Sequence, residues 1–169
     1  MTSYTTSVDG HQVDKKAFNW HMSARPALTA NVTAAGSSGF TLAKVGDIPA
    51  GAIVIEDATT AGRVNISAGA ASETLLGVAI HTRQGNDTRP LSYTILGVVE
   101  MIAGTGNITK GDLLAPDAVS GYYGCAIAWT PDVDGSNADG LIAMKACFGK
   151  ALTSATAGSR FWAYVNFMK

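Results

Sequence analysis

From Phe40 onward the chain alternates short apolar stretches with Gly, Pro, Asn and Asp, and few windows have the length or period of an amphipathic helix. The pattern predicts strands at 52–56, 63–66, 74–82, 91–101, 112–115, 122–129, 141–153 and 160–167. The clearest period of two lies at the C-terminal end, where Phe161, Ala163, Val165 and Phe167 alternate with Trp162, Tyr164 and Asn166. Large side chains on both faces there predict a strand covered on both sides. Many short strands with frequent turn signals imply an all-β fold, a small β-barrel or sandwich.

Residues 1–38 break this pattern. They are rich in Thr, Ser, Asn and Gly, with isolated large apolar groups at Phe18, Trp20, Met22 and Leu28. Arg25-Pro26 discourages a helix, and the run from Val32 to Gly39 has the composition of a flexible joint. The division expected is an extended N-terminal arm at 1–38 and a barrel-like body at 39–169. Fully extended, such an arm reaches on the order of 120 Å at about 3.3 Å per residue. Phe18, Trp20 and Met22 stand two apart, as alternate positions of an extended strand do. Two readings fit: the arm adds a strand to the sheet of a partner or sister subunit, or it folds back over its own body.

The body carries an internal repeat, approximately 48–96 and 108–167. Ile48-Pro-Ala-Gly51 through Asp57 is matched 60 residues later by Ile108-Thr-Lys-Gly111 through Asp117. Leu76-Gly77-Val-Ala-Ile-His-Thr82 is matched 71 or 72 residues later by Phe148-Gly149-Lys-Ala-Leu-Thr153. The extra residues fall in a loop at 130–140. Gly51 and Gly111 suit turns before strands, Asp57 and Asp117 suit the turns that end them, and Gly77 and Gly149 mark a bulge or close backbone approach. Two such half-units are expected to close a barrel together.

Composition sharpens the partner question. The chain is 47% hydrophobic and only 15% charged, against roughly 25% charged in an ordinary soluble domain. Mean hydropathy is +0.16. The shortage of charge implies surface covered by copies of the chain or by another protein. With 12 basic and 13 acidic residues well mixed and a net charge of −1, no basic stripe suggests nucleic acid. No apolar run approaches the roughly 18–20 residues of a membrane span, and the first residues lack the order of a signal peptide. Four Asn-x-Ser/Thr sequons, at Asn31, Asn65, Asn86 and Asn107, then carry little weight.

Candidate chemistry is sparse. The glycine spacing of Gly106 to Gly111 mimics a phosphate loop, but Asp112 and Leu113 follow where Lys and Ser/Thr are needed. Asp132, Asp134, Asn137 and Asp139 crowd one loop with oxygen ligands, yet the EF-hand register fails at Asn137 and Ala143, and turn chemistry explains them. Asp9, His11, Asp14 and His21 on the arm have no spacing that fixes a metal site. Cys125 and Cys147 make neither a disulfide framework nor a zinc site and are expected as free thiols. His81 is replaced near Leu152 or Thr153 in the other repeat, which argues against a general base. No enzymatic role and no cofactor are expected.

In four stretches the body resembles the small capsid decoration, or cement, proteins of tailed bacteriophages, notably a family described as a conserved phage domain of unknown function. These are Ile48–Asp57, Leu75–Ile80, Leu96–Glu100 with Ile108–Leu114, and Gly149–Thr153 with Ala157-Gly158 and Ala163–Val165. The resemblance covers roughly 40–168. It implies an oligomeric subunit, often trimeric, on the outer surface of the virion head. There it would cement neighbouring major capsid proteins and stabilise the expanded shell. The long arm and the acidic loop at Asp132–Gly140 depart from the family pattern. Partner contacts are expected at Phe18, Trp20, Met22, Leu28, Trp129, Asp132 and Asp134. The competing reading is a receptor- or carbohydrate-binding β-domain of a virion surface or fibre, for which Trp129 beside the acidic loop is the candidate.

Overall fold

The computed structural model describes residues 20–26, 47–58, 60, 62–69, 73–83, 89–130 and 147–168, with the backbone alone at 20 and 24–26. Among them are nine strands and no helix: β1 (Trp20–Pro26), β2 (Ile53–Glu56), β3 (Arg63–Ile66), β4 (Leu75–Ala79), β5 (Leu91–Ile102), β6 (Leu113–Pro116), β7 (Ala126–Ala128), β8 (Gly149–Ala151) and β9 (Arg160–Asn166). The all-β, barrel-like fold is as expected. Of the predicted 141–153 strand, the described part at 147–153 holds β8; residues 141–146 and most of the 130–140 loop, with Asp132 and Asp134, lie outside the described residues.

The strands form one sheet, ordered β1-β3-β2-β4-β5-β9-β8-β6-β7, with β1 also paired to β5. That extra pairing closes β1, β3, β2, β4 and the first half of β5 into a ring. The second half of β5 forms another ring with β9, β8, β6 and β7, closed where Ala103 bridges Ala126 in parallel. The two half-units therefore do not share a single barrel. Each closes its own, and the twelve-residue strand β5 is a wall of both.

Hydrogen bonding shows the repeat in detail. Val54 pairs with Gly77 as Leu114 pairs with Gly149, and Ala79 pairs with Tyr93 as Ala151 pairs with Ala163. The bridge Ile48–Arg83 is matched by Ile108–Ala155. The Gly51 N–H donates to Ala79 O at 2.8 Å, and the Gly111 N–H to Ala151 O at 2.9 Å. Tyr93 is thus the counterpart of Ala163. The match also extends further than the sequence shows. Met22 pairs with Tyr93, and Pro26 with Val64 in parallel, as Val99 pairs with Ala163 and Ala103 bridges Ala126. So β1 holds in the first ring the place that the second half of β5 holds in the second.

Two glycines make this packing possible by having no side chain. A Cβ at Gly77 would lie 2.5 Å from Thr94 O, and one at Gly149 would lie 2.5 Å from Tyr164 O. The close approach expected for both is present. Turns use a different property: Gly51 and Gly111 have φ of 89° and 102°, a left-handed region that glycine enters without a steric penalty.

Two hydrophobic clusters fill the rings. One holds Ile48, Val54, Val64, Ile66, Ala79, Leu91 and Tyr93; the other holds their counterparts Ile108, Leu114, Ala126, Ala151, Phe161 and Ala163, together with Phe148. They interlock. Ile53 and Val78, on the outer side of the first ring, are packed in the second cluster, while Ile102 and Cys125 from the second unit belong to the first cluster.

Candidate interaction surface

The segment read as an arm contributes a strand to its own body. Trp20 to Ala24 pair with Leu96 to Leu91 across β5, with a bulge after Trp20, and Arg25–Pro26 run parallel to β3. Of the two readings for Trp20 and Met22, the structure has the strand folded onto its own sheet. Met22 nevertheless remains 52% exposed. Phe18 and Leu28 lie outside the described residues. Trp129 is half-buried after β7; its backbone N–H donates to Leu113 O at 2.7 Å, and its indole Nε1 is buried with no partner among the described residues. Nothing described brings Met22 and Trp129 together.

The expectation that the last strand is covered on both faces is corrected. Phe161, Ala163 and Val165 point into the second ring, but Trp162 and Tyr164 are 48% and 43% exposed. Alternation fixed the inward face; large aromatics on the other face are equally compatible with burial and exposure, so the sequence carried no signal for this surface. Tyr164 stands opposite Val98, and Trp162 opposite Glu100. Glu100 accepts from the Arg160 guanidinium at 2.8 Å in an ion pair exposed at both ends. Val98, Glu100, Arg160 and Trp162 border an open cleft of about 330 Å³ where the rings meet, lined also by His21, Ile80 and Thr94. A hydrogen bond of 3.0 Å between His21 Nδ1 and Thr94 Oγ1 orients the imidazole.

Other chemically notable groups serve the fold. Asp57 and Asp117 are both buried. The Asp57 carboxylate accepts from the Thr60 N–H at 2.7 Å, and that of Asp117 accepts from the Thr105 and Val119 N–H groups at 2.7 and 2.9 Å. Buried carboxylates held this way lock the turns after β2 and β6. Both cysteines are free. Burial, and then the negative charge of Asp117, push the Cys125 thiol up to about 12, so it stays protonated and unreactive. Burial, and then Arg83 and Arg89, hold His81 below its ordinary range against an opposing backbone contact at Pro90. Among the described residues no three His, Cys, Asp or Glu side chains are grouped to hold a metal ion.

No known protein family and no curated protein matches the sequence. The fold does have a solved counterpart. It is similar to the head fiber gp8.5 N base of bacteriophage phi29, with a TM-score of 0.54 and 19% identity, over 89% of this chain and 97% of that one. At that identity the likeness establishes a shared all-β architecture.

Proposed function

We propose that this chain is a structural protein of a phage virion that binds the outside of the head and cements neighbouring major capsid proteins. The observation that carries the reading is the likeness to a phage head fiber base over nearly the whole of both chains. The build of the molecule supports it. Its buried carboxylates and its deeply buried thiol are committed to turns and core, while large apolar groups on strand faces meet water. Such a surface binds by area, and weak contacts repeated over many copies add through effective concentration. The residues before β1, with Phe18 among them, are the candidate clamp, together with Met22, Trp129 and the acidic loop.

Cryo-electron microscopy of decoration-free expanded heads mixed with the protein tests this. A chain lacking residues 1–19 is the informative variant, because a cut at residue 38 would also remove β1 and open the first ring. Regular density at capsomer junctions, weakened by the deletion, is the expected result. Bare heads with both chains would overturn the cement reading. The cleft bordered by Trp162, Glu100 and Arg160 favours the second reading, a receptor- or carbohydrate-binding domain of the virion surface. A glycan-array signal without affinity for heads would select it.

A further inference from the structure

The repeat has an internal junction, where the first ring's outer face meets the second unit, and among the described residues the counterparts of both its halves are uncovered. On the first unit's side it buries Ile53 and Val78, and Thr94 beside them is 1% exposed. Gly51 is crowded there, since a Cβ would lie 3.1 Å from Glu100 O and 3.5 Å from Met101 Cα. On the second unit's side, a Cβ at Gly124 would lie 2.6 Å from Ile66 Cγ2 and 3.2 Å from Ala52 Cβ. Backbone bonds cross it: the Ile53 N–H donates to Gly124 O at 2.9 Å, and the Gly124 N–H to Ser67 O at 2.9 Å.

Each of these positions has a counterpart that is exposed or that meets nothing among the described residues. Leu113, counterpart of Ile53, is 43% exposed; Tyr164, counterpart of Thr94, is 43% exposed; Lys150, counterpart of Val78, is exposed. A Cβ at Gly111, counterpart of Gly51, meets nothing within 4 Å. The same holds on the other end. At Gly62, the counterpart of Gly124, a Cβ would meet nothing within 4 Å among the described residues, and Met22 is 52% exposed where its counterpart Val99 is 9% exposed. Stacked-repeat proteins carry a polar outer face on their terminal units because an uncovered repeat surface associates. Here the terminal surfaces present Leu113 and Tyr164 at one end and Met22 at the other.

We infer that two copies of this chain associate head to tail through these two ends, the face at Leu113, Lys150 and Tyr164 of one copy receiving β1 and the Gly62 turn of the next. The contact reproduces between copies the packing that joins the two rings within one. It is heterologous, so it builds a closed ring or an open filament according to the rotation between copies. This goes beyond the capsid reading and stands whether or not the protein binds heads.

Sedimentation velocity on the full chain across a concentration series tests it, with Leu113→Asp and Tyr164→Asp as variants of one face and Met22→Asp as the variant of the other. All three residues are surface-exposed, and circular dichroism checks that the fold is kept. The wild-type chain is expected to self-associate. Each single variant should weaken association by about tenfold or more. An equimolar mixture of Leu113→Asp with Met22→Asp retains one intact junction and should yield a two-chain species that neither variant forms alone. A wild-type chain that stays single, an oligomer indifferent to these changes, or a mixture that fails to form the two-chain species would overturn the inference.

Discussion

The first ring is assembled from two distant parts of the chain, whereas the second is nearly continuous. β1 and β3 are separated in sequence by residues 27–62, and β1 is held to β5 by five residue pairs interrupted by a bulge. In the second ring the equivalent wall is the end of β5, held to β9 by an unbroken register of seven pairs. The fill differs as well. Phe148 is buried and its ring stacks on Phe167 with centroids 5.0 Å apart, while its counterpart Leu76 is only partly buried. One topology thus supports a loosely closed and a firmly closed version of itself, and the firm one buries two phenylalanines where the other buries Tyr93 with Tyr122 and Tyr123 only partly buried against it.

The largest expected effect breaks that asymmetry directly. Phe148→Ala should destabilise the protein by about 3–5 kcal/mol, and Leu76→Ala by about 2 kcal/mol, in urea unfolding monitored by fluorescence. Equal losses would mean that the two cores carry equal weight. Next, Gly77→Ala and Gly149→Ala each drive a methyl group into a carbonyl oxygen on the neighbouring strand, and each should cost about 2–3 kcal/mol. The carbonyl clash is the same in both rings and a Cβ at Gly77 also meets Tyr93 Cδ2 at 2.7 Å, so the value at Gly77 is expected to be equal or larger, and a much smaller one would show that the first ring yields. At the turns, Gly111→Ala places a side chain in open space but at a left-handed φ, a penalty of about 1–2 kcal/mol. Gly51→Ala bears that strain and a contact with Glu100 O as well, and should exceed it.

The smallest effect is one of pH. His81 lies in the first ring and its counterpart, Thr153, does not titrate. His81 is held below its ordinary value of 6.5 by burial, Arg83 and Arg89, so the unfolded chain binds the proton more readily than the folded one. Its neutral form gives full stability above 6.5, and stability falls as pH drops through that value toward the lowered one. His81→Thr should flatten this part of the thermal-melting profile, and an unchanged profile would remove His81 as its cause.

Much of the second ring was legible because its signals are local. The 60-residue match from Ile48 to Asp57 predicted paired turns with Asp57 and Asp117 at the strand ends, and the lone glycines in apolar strands predicted the close approaches. The equivalence of β1 to the end of β5 was not legible. WHMSARP and GVVEMIA share no residue type pattern beyond an extended period, because what they share is position in a ladder and exchange of backbone hydrogen bonds. For the same reason the sequence left open whether the segment at 1–38 reaches a partner or folds back over its own body. The terminal faces were hidden more deeply. Leu113 and Tyr164 occupy strand positions that would serve equally well in a core, and only their counterparts in the other ring show that something is uncovered there.

The sharing of β5 between two rings has a mechanical consequence. Two domains joined by a linker pivot, and whatever binds across them must stop that motion at an entropic cost. Here the pivot would have to lie inside a strand bonded to β1 and β4 at one end and to β9 at the other, so turning one ring against its neighbour means shearing ladders. The molecule is a stiff strut without a joint. A load applied at Met22 reaches Tyr164 through the β1–β5 ladder, the shared backbone of β5 and the β5–β9 ladder.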